Sequence, residues 1–477
     1  MLRKFKKKVN DDLHLKELLK GSSISFTLKI IGMGFGYIFT LLITRNYGAE
    51  VTGIYALSLV VLQIASIIGR LGMDRAILRF VAEYNSQNKK DMINEIYKKI
   101  IKLIIPISLF VSLVMFFLSP YVANYFFHKN YLINYFRIIS IGIVPYVLFS
   151  INSESLRGLK KIKEYAFLQN IGIFFTASIF LGLSLFIIKN NYIPVIVYVT
   201  SVFLMSLLSC FLWFKKFNSL NLSVSPVTHQ YFDFALKKVP EILTFPAIFY
   251  SPFSSDYAAN VTSYKYILLV SSPMLITGSL GLILGFIDII ILGIFKTSSE
   301  VGIYSVVVKL SLITVMILAA INVVAAPKFA EFWSKGDKKG LTKIAQQSTK
   351  IVFWLSLPVL LIFLVFPSYI LEIFGAKFET GVMALIMLVF GQFINAISGS
   401  VGYILQMTGF QLYVQNTTIA SVIINIILNL LLVPKYSING AAFASMVTLI
   451  FWNLIMGMKV KSILGEWVFY RPYRLHL

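Results

Sequence analysis

Long apolar runs, broken by short polar segments, extend along almost the whole chain. In the first half they fall near 23–44, 52–73, 100–118, 132–156, 165–188 and 192–214. In the second half they fall near 270–295, 301–326, 350–373, 380–405, 412–434 and 438–458. Each comes to about the 20 residues that a helix needs to cross a bilayer. Only helices or closed barrels satisfy their backbone in lipid, and unbroken runs lack the alternation of a barrel strand. The pattern therefore predicts an all-α integral membrane protein with about twelve transmembrane helices in two sets of six. A polar segment divides the sets, with Pro240, Pro246 and Pro252 recurring among Phe, Ile and Tyr. It is read as an interfacial loop near the inner surface. Leu13 to Leu19 is amphipathic and is expected to lie along that surface ahead of the first run. Pro106, Pro145, Pro273 and Pro358 are candidate kinks.

The second set repeats the first. Arg45-Asn46-Tyr47-Gly48, leading to Gly53-Ile54-Tyr55, returns as Gly293-Ile294-Phe295-Lys296, leading to Gly302-Ile303-Tyr304. Ala82-Glu83-Tyr84 returns as Ala330-Glu331-Phe332, and Asn88-Lys89-Lys90-Asp91 as Asp337-Lys338-Lys339-Gly340. Pro106 pairs with Pro358, Pro120 with Pro367, and Gly158 with Gly409, all in one order. Such periodicity marks an internal duplication. An even number of spans per copy lets both copies enter from the same side. The expectation is two six-helix lobes related by a pseudo-twofold axis along the membrane normal, with a cavity between them. The chain then divides into a basic, amphipathic cytoplasmic N-terminus (1–22), a first lobe (23–214), a linker with an insertion (215–265), a second lobe (266–458) and a cytoplasmic C-terminus (459–477).

Composition narrows this picture. The chain is 58% hydrophobic and 13% charged, against about a quarter charged in soluble proteins. A single cysteine, Cys210, rules out a disulfide framework or a cysteine metal cluster. The net charge of +23 invites a nucleic-acid reading, but its placement argues for topology instead. With the N-terminus inside, 33 of the 43 Lys and Arg fall in inner segments, six in outer turns and four within spans. That bias sets the orientation: a multi-pass protein of the cell membrane with both termini cytoplasmic. Met1 to Lys8 is basic and leads into Asp11-Asp12, so a cleaved signal peptide is not expected.

Ionisable residues inside spans are costly and usually face a cavity. Lys29 and Arg70, with Asp74, Arg75 and Arg79, are expected to make a basic inner vestibule in the first lobe, while Val315 to Ala326 in the second carries no charge. The vestibule suits a polyanionic headgroup such as a lipid diphosphate; snorkelling to lipid phosphates is the alternative. Asp288 and Lys309 each sit roughly 10 Å below the outer face by helical rise. They either neutralise each other or form a proton- or cation-responsive pair. Asn425 and Asn429 share one helix face, for packing or for a sugar. No catalytic residue, metal ligand or cofactor site is expected. The four histidines lie outside the spans, and there is no phosphate-binding loop and no His-Glu-x-x-His.

Several of these stretches resemble one family. Arg45 through Tyr55, Gly72-Met73-Asp74-Arg75 with Arg79-Phe80-Val81-Ala82-Glu83, Asp288 with Leu292-Gly293, and Asn425 through Pro434 with Asn439-Gly440-Ala441-Ala442 are similar to the oligosaccharide flippases. These are the Wzx-like polysaccharide export proteins of the multidrug/oligosaccharidyl-lipid/polysaccharide exporter superfamily. The resemblance covers nearly the whole chain apart from roughly 220–264, where this sequence carries an insertion. It implies a two-lobed transporter that moves polyprenyl-diphosphate-linked glycans from the inner to the outer leaflet through a cationic cavity. Arg45, Arg75, Arg79 and Asp288 match its motif positions, whereas Lys29, Arg70 and Lys309 rest on burial alone. The expected substrate-binding set is Lys29, Arg45, Arg70, Arg75 and Arg79, and the coupling or gating set is Asp288, Lys309 and Asp74. Expected partners are the lipid-linked glycan, membrane lipids and other glycan-assembly proteins, with no nucleic acid and a monomeric state. The alternatives are a cation-coupled drug antiporter of the same superfamily and a membrane glycan polymerase or ligase.

Overall fold

The structure is a computed structural model that describes residues 13–187, 190–219 and 263–469. Helix α1 (Leu13–Arg70) carries the first two spans. At 58 residues a straight helix would be roughly 87 Å long, far beyond the about 30 Å of a bilayer core. It breaks at Gly48, where φ is 79° and ψ −177°, a conformation glycine adopts at low cost. The chain doubles back there, so the rings of Phe39 and Tyr55 meet at 5.5 Å. The expected surface helix at Leu13–Leu19 is not separate: the helical backbone runs from Leu13 straight into the first span.

Helix α2 (Met73–Ser86) extends span 2 beyond a break, and α3 (Lys90–Tyr121) forms span 3 and passes Pro106. Span 4 joins α4 (Leu132–Ile141) to α5 (Ile143–Gly158) with a bend of 41°. Pro145 explains the bend at Gly142, because it can neither bond to nor clear the carbonyl of Ile141 four residues back. Span 5 runs through α6 (Ile162–Ala166), a π-helical turn (Phe167–Gly172) and α7 (Ile173–Ser184). Helix α8 (Ile193–Asn218) is span 6.

The second lobe repeats the plan with α9 (Tyr264–Phe295) and α10 (Ser298–Ser334) as spans 7 and 8. A capping box starts α10: Thr297 Oγ1 accepts from the Glu300 amide, and Glu300 Oε2 accepts from the Thr297 amide at 2.9 Å. Helix α11 (Lys338–Val365) is span 9. Helix α12 (Pro367–Glu372) and a short turn lead to α13 (Val382–Ser398), span 10, which α14 (Val401–Met407) prolongs after a break. Helix α15 (Gln411–Leu464) holds spans 11 and 12, folded back at Ser437 (φ 51°). Trp452 Nε1 accordingly reaches Thr418 Oγ1 at 3.2 Å.

The result is an all-helical, two-lobed membrane fold in which α1 of the first lobe packs along α10 of the second. One end of the bundle carries the turns at Gly48, Lys296 and Ser437, here the turn end. The opposite end carries the break between α1 and α2, here the vestibule end. The proline-spaced segment at Pro240, Pro246 and Pro252 lies outside the described residues.

Candidate functional site

The vestibule is built by two consecutive left-handed residues. Leu71 (φ 49°) and Gly72 (φ 72°) end α1 at Arg70 and restart the chain as α2. Gly72 has a second reason to be glycine: a Cβ there would overlap the Ser271 carbonyl and the Leu275 amide of α9. The turn thus pins the second lobe's first helix against the first lobe and re-aims the next helical face. Asp74 falls in the first turn of α2, where the exposed amides favour a negative charge.

Around this turn a cavity of about 840 Å³ opens between the lobes. Among the described residues, Arg70, Arg75, Arg79 and Arg157 line it with two carboxylates, Asp74 and Glu154. Met274, Leu275 and Leu282 of α9 give it an apolar wall on the second lobe's side. Arg70 is held firmly: Nη1 donates to Asp74 Oδ2 at 3.1 Å and to Ser150 Oγ at 2.9 Å, and Nε donates to the Ser66 carbonyl at 3.2 Å. Its guanidinium stands 6.0 Å from the centre of the Tyr146 ring, whose hydroxyl takes a hydrogen bond from Gln63 at 2.8 Å. Arg157 pairs with Glu154 at 3.4 Å and lies over the Tyr165 ring.

Four expected residues, Arg70, Asp74, Arg75 and Arg79, are therefore brought together. Glu154 and Arg157, outside the expected set, join them. The available signal was the polar run Ser150 to Arg157 at the end of an otherwise apolar span. Lys29 is exposed and does not line this cavity. Arg45 is far from it along the chain and differently engaged, with Nε donating to the Ile373 carbonyl at 2.6 Å and Nη2 to that of Glu372 at 3.0 Å. Its guanidinium caps the end of α12 in the second lobe and takes no part in the arginine cluster.

The second lobe holds a different polar centre. Asp288 is only 8% exposed. Its Oδ2 accepts from Tyr304 Oη at 2.6 Å and from Ser445 Oγ at 2.5 Å, and its Oδ1 accepts from Asn429 Nδ2 at 2.8 Å. Asn429 also reaches Asn425 Oδ1 at 3.2 Å, and Asn425 reaches Thr448 Oγ1 at 3.4 Å. The Asn429 Oδ1 atom is buried with no partner. Spans 7, 8, 11 and 12 thus converge on one carboxylate through neutral groups.

The expected Asp288–Lys309 pair does not form. Lys309 turns to the other lobe and donates to Thr40 Oγ1 at 2.8 Å, above the Tyr55 ring at 6.0 Å, while its own carbonyl accepts from Tyr37 Oη at 2.7 Å. Equal depth brought the two residues level, but their helices direct them to opposite sides: Asp288 to spans 11 and 12, Lys309 to span 1.

A family model described as polysaccharide biosynthesis protein matches residues 18–333, and a second, MatE, matches residues 273–431. An uncharacterized membrane protein of Methanocaldococcus jannaschii, MJ1068, is 26% identical over 408 residues, which cover 81% of this chain and 71% of that one. The probable low-salt glycan biosynthesis flippase Agl15 of Haloferax volcanii is 28% identical over 166 residues, 35% of each chain. Among solved structures, the lipid II flippase MurJ in an inward closed conformation matches with a TM-score of 0.67 at 15% identity, over 93% of this chain and 87% of that one. At that identity the match speaks for the fold alone.

Proposed function

The chain belongs to the polysaccharide biosynthesis protein family, and on that footing we propose that it flips a lipid-linked oligosaccharide across the cell membrane by alternating access. The observation that carries this reading is the vestibule, with four arginines and two carboxylates in about 840 Å³ between the lobes. A diphosphate is the ligand such a cluster favours. Guanidinium groups bind phosphate oxygens in bidentate pairs, and these charge-assisted bonds are roughly twice as strong as neutral ones. The apolar wall of Met274, Leu275 and Leu282 lies opposite, where the start of a polyprenyl chain would leave the headgroup. The Lys and Arg bias puts the vestibule end in the cytoplasm, so the described state receives substrate from the inner leaflet. Other glycan-assembly proteins would supply that substrate.

Asp288 serves coupling in this reading. Its carboxylate, buried and held by donors from Asn429, Ser445 and Tyr304, suits neutralisation by a proton, or by a small cation that displaces those donors, in one half of the cycle. The same centre favours one competing reading, a cation-coupled antiporter of small molecules, which the MatE match also suits. Purified protein in liposomes, given a defined polyprenyl-diphosphate sugar with and without an ion gradient, separates the two. Flipping that responds to the gradient is the expected result. Export of small cationic compounds with no flipping would replace the flippase by the antiporter.

A further inference from the structure

A second, smaller cavity has the opposite character to the vestibule. It measures about 280 Å³ and is bounded by span 2, by span 3 with the turn that follows it, and by Ile290 of span 7. Every side chain that lines it is apolar, and eight of the thirteen are valine or isoleucine. Val60, Val61 and Ala65 form a buried floor, while Ile64, Ile68 and Leu118 stand exposed along the rim. The hollow is therefore a groove, open on the side that faces the bilayer. β-Branched side chains are stiff about χ1, so its walls resist collapsing to fill it.

The groove begins where the vestibule ends. Ile67 lines the vestibule, and its near neighbours Ile64 and Ile68 line the groove. On span 7 the vestibule reaches Leu282, and Ile290 stands roughly 12 Å further along by helical rise. The same two spans thus carry one cleft with two chemistries, arginines at the vestibule end and hydrocarbon toward the turn end. The other lobe boundary, span 1 against span 8, is fastened in that same half of the bundle. Tyr37 Oη donates to the Lys309 carbonyl at 2.7 Å, and Lys309 Nζ donates to Thr40 Oγ1 at 2.8 Å. A chain leaving the vestibule finds room beside spans 2 and 7 and meets tied helices at spans 1 and 8.

We propose that this groove holds the hydrocarbon chain of the same lipid whose diphosphate occupies the arginines, so that the cargo lies sideways across spans 2, 3 and 7. The proposal rests on the flippase reading. Its polarity fits a lipid of the inner leaflet, with the head at the cytoplasmic face and the chain directed toward the bilayer centre. Apolar surface alone does not choose this occupant, because lipid tails are as apolar as the groove and gain little by entering it. Position chooses it. A lipid fixed by its head to the arginines has the first units of its chain beside Ile67 and Leu282, and the groove is the apolar continuation of that path.

The test uses full-length protein in liposomes that contain, as a minor component, a polyprenyl-diphosphate sugar with a diazirine in its isoprenoid chain. Illumination should attach this probe to the groove stretches of spans 2 and 3, read by mass spectrometry of the peptides. Attachment around Tyr37 and Lys309 instead would overturn the proposal. With Arg70→Gln, Arg75→Gln and Arg79→Gln together, groove labelling should fall about tenfold or more, because the chain is no longer tethered at its mouth. Phosphatidylcholine with a diazirine in its acyl chain is the comparison, and its labelling should not respond to the arginines. Prenyl labelling that also ignores them would reduce the groove to an ordinary lipid-facing surface. Ala65→Phe fills the floor and should weaken binding of the long-chain lipid about tenfold, the loss of a linked second contact, while a soluble short-chain prenyl diphosphate binds as before. Unchanged long-chain binding in inserted Ala65→Phe protein would count against the groove. Labelling needs no turnover. A protein labelled in the groove that never flips the lipid sinks the proposed function and leaves the groove standing.

Discussion

In the first lobe, charge collects at one end of the helices, around a break that turns four arginines into a water-accessible cavity. In the second, a lone carboxylate lies buried between spans 7, 8, 11 and 12 and is held by hydroxyl and amide donors. The two lobes grew from one duplicated unit, and their backbones still repeat down to the paired glycines. Their polar chemistry has separated completely. Arginines at a cavity keep much of their hydration and can meet an anion directly. A carboxylate inside a lobe loses that hydration and offsets the loss through hydrogen bonds to its charge, each about 1.5–3 kcal/mol. On the proposed function, duplication supplied a frame for rocking, while divergence left one lobe with a basic cavity suited to an anion and the other with a buried carboxylate that could be neutralised.

Removing the arginines is the most severe way to break this division. Arg70→Gln, Arg75→Gln and Arg79→Gln together should cut flipping in liposomes at least a hundredfold, since each lost charged contact is worth about 1.5–3 kcal/mol. Near-normal flipping by inserted protein would move the anion site elsewhere. Asp288→Asn should act on the other half alone. About a tenfold loss is expected, near 1.4 kcal/mol, and the remaining flipping should ignore the ion gradient. A gradient response that survives in this variant would end the coupling role.

Smaller changes sharpen the contrast. Asn429→Ala strips the carboxylate of one donor and should cost about 1–3 kcal/mol of stability, read as a lower melting temperature in detergent; Asn429→Ser should recover part of it. Arg45→Ala removes the cap on α12 and should cost about 1 kcal/mol, with a small fall in melting temperature and little change in substrate affinity. A large affinity loss would return Arg45 to the binding set. Lys29→Ala is the smallest, within about 0.5 kcal/mol for an exposed residue, with flipping unaffected.

The repeat, the twelve helical runs and the arginines around residue 75 were legible because they depend on order and period along the chain. What failed depended on direction around a helix. Counting rise per residue from the Lys296 turn put Asp288 and Lys309 at one depth, yet depth says nothing of which neighbour a side chain faces. One went to Ser445, 157 residues away, and the other to Thr40, 269 residues away. Lys29 failed similarly: a cation inside an apolar run need not point into the cavity. Arg157 was hidden by its place at a span end, where a basic residue reads as a topology signal, and Arg45 by a partner with no side-chain signature, a pair of backbone carbonyls.

The break at Leu71 and Gly72 also limits how the sequence can change length. Each added residue turns a helix by about 100°, so one insertion between Arg70 and Arg75 would carry Arg75 and Arg79 into the buried places of Ala76 and Phe80. A deletion would instead bring Ala76 and Phe80 round to the cavity places of Arg75 and Arg79. Whatever else drifts among relatives that keep this vestibule, an alignment should show no gap across these ten positions.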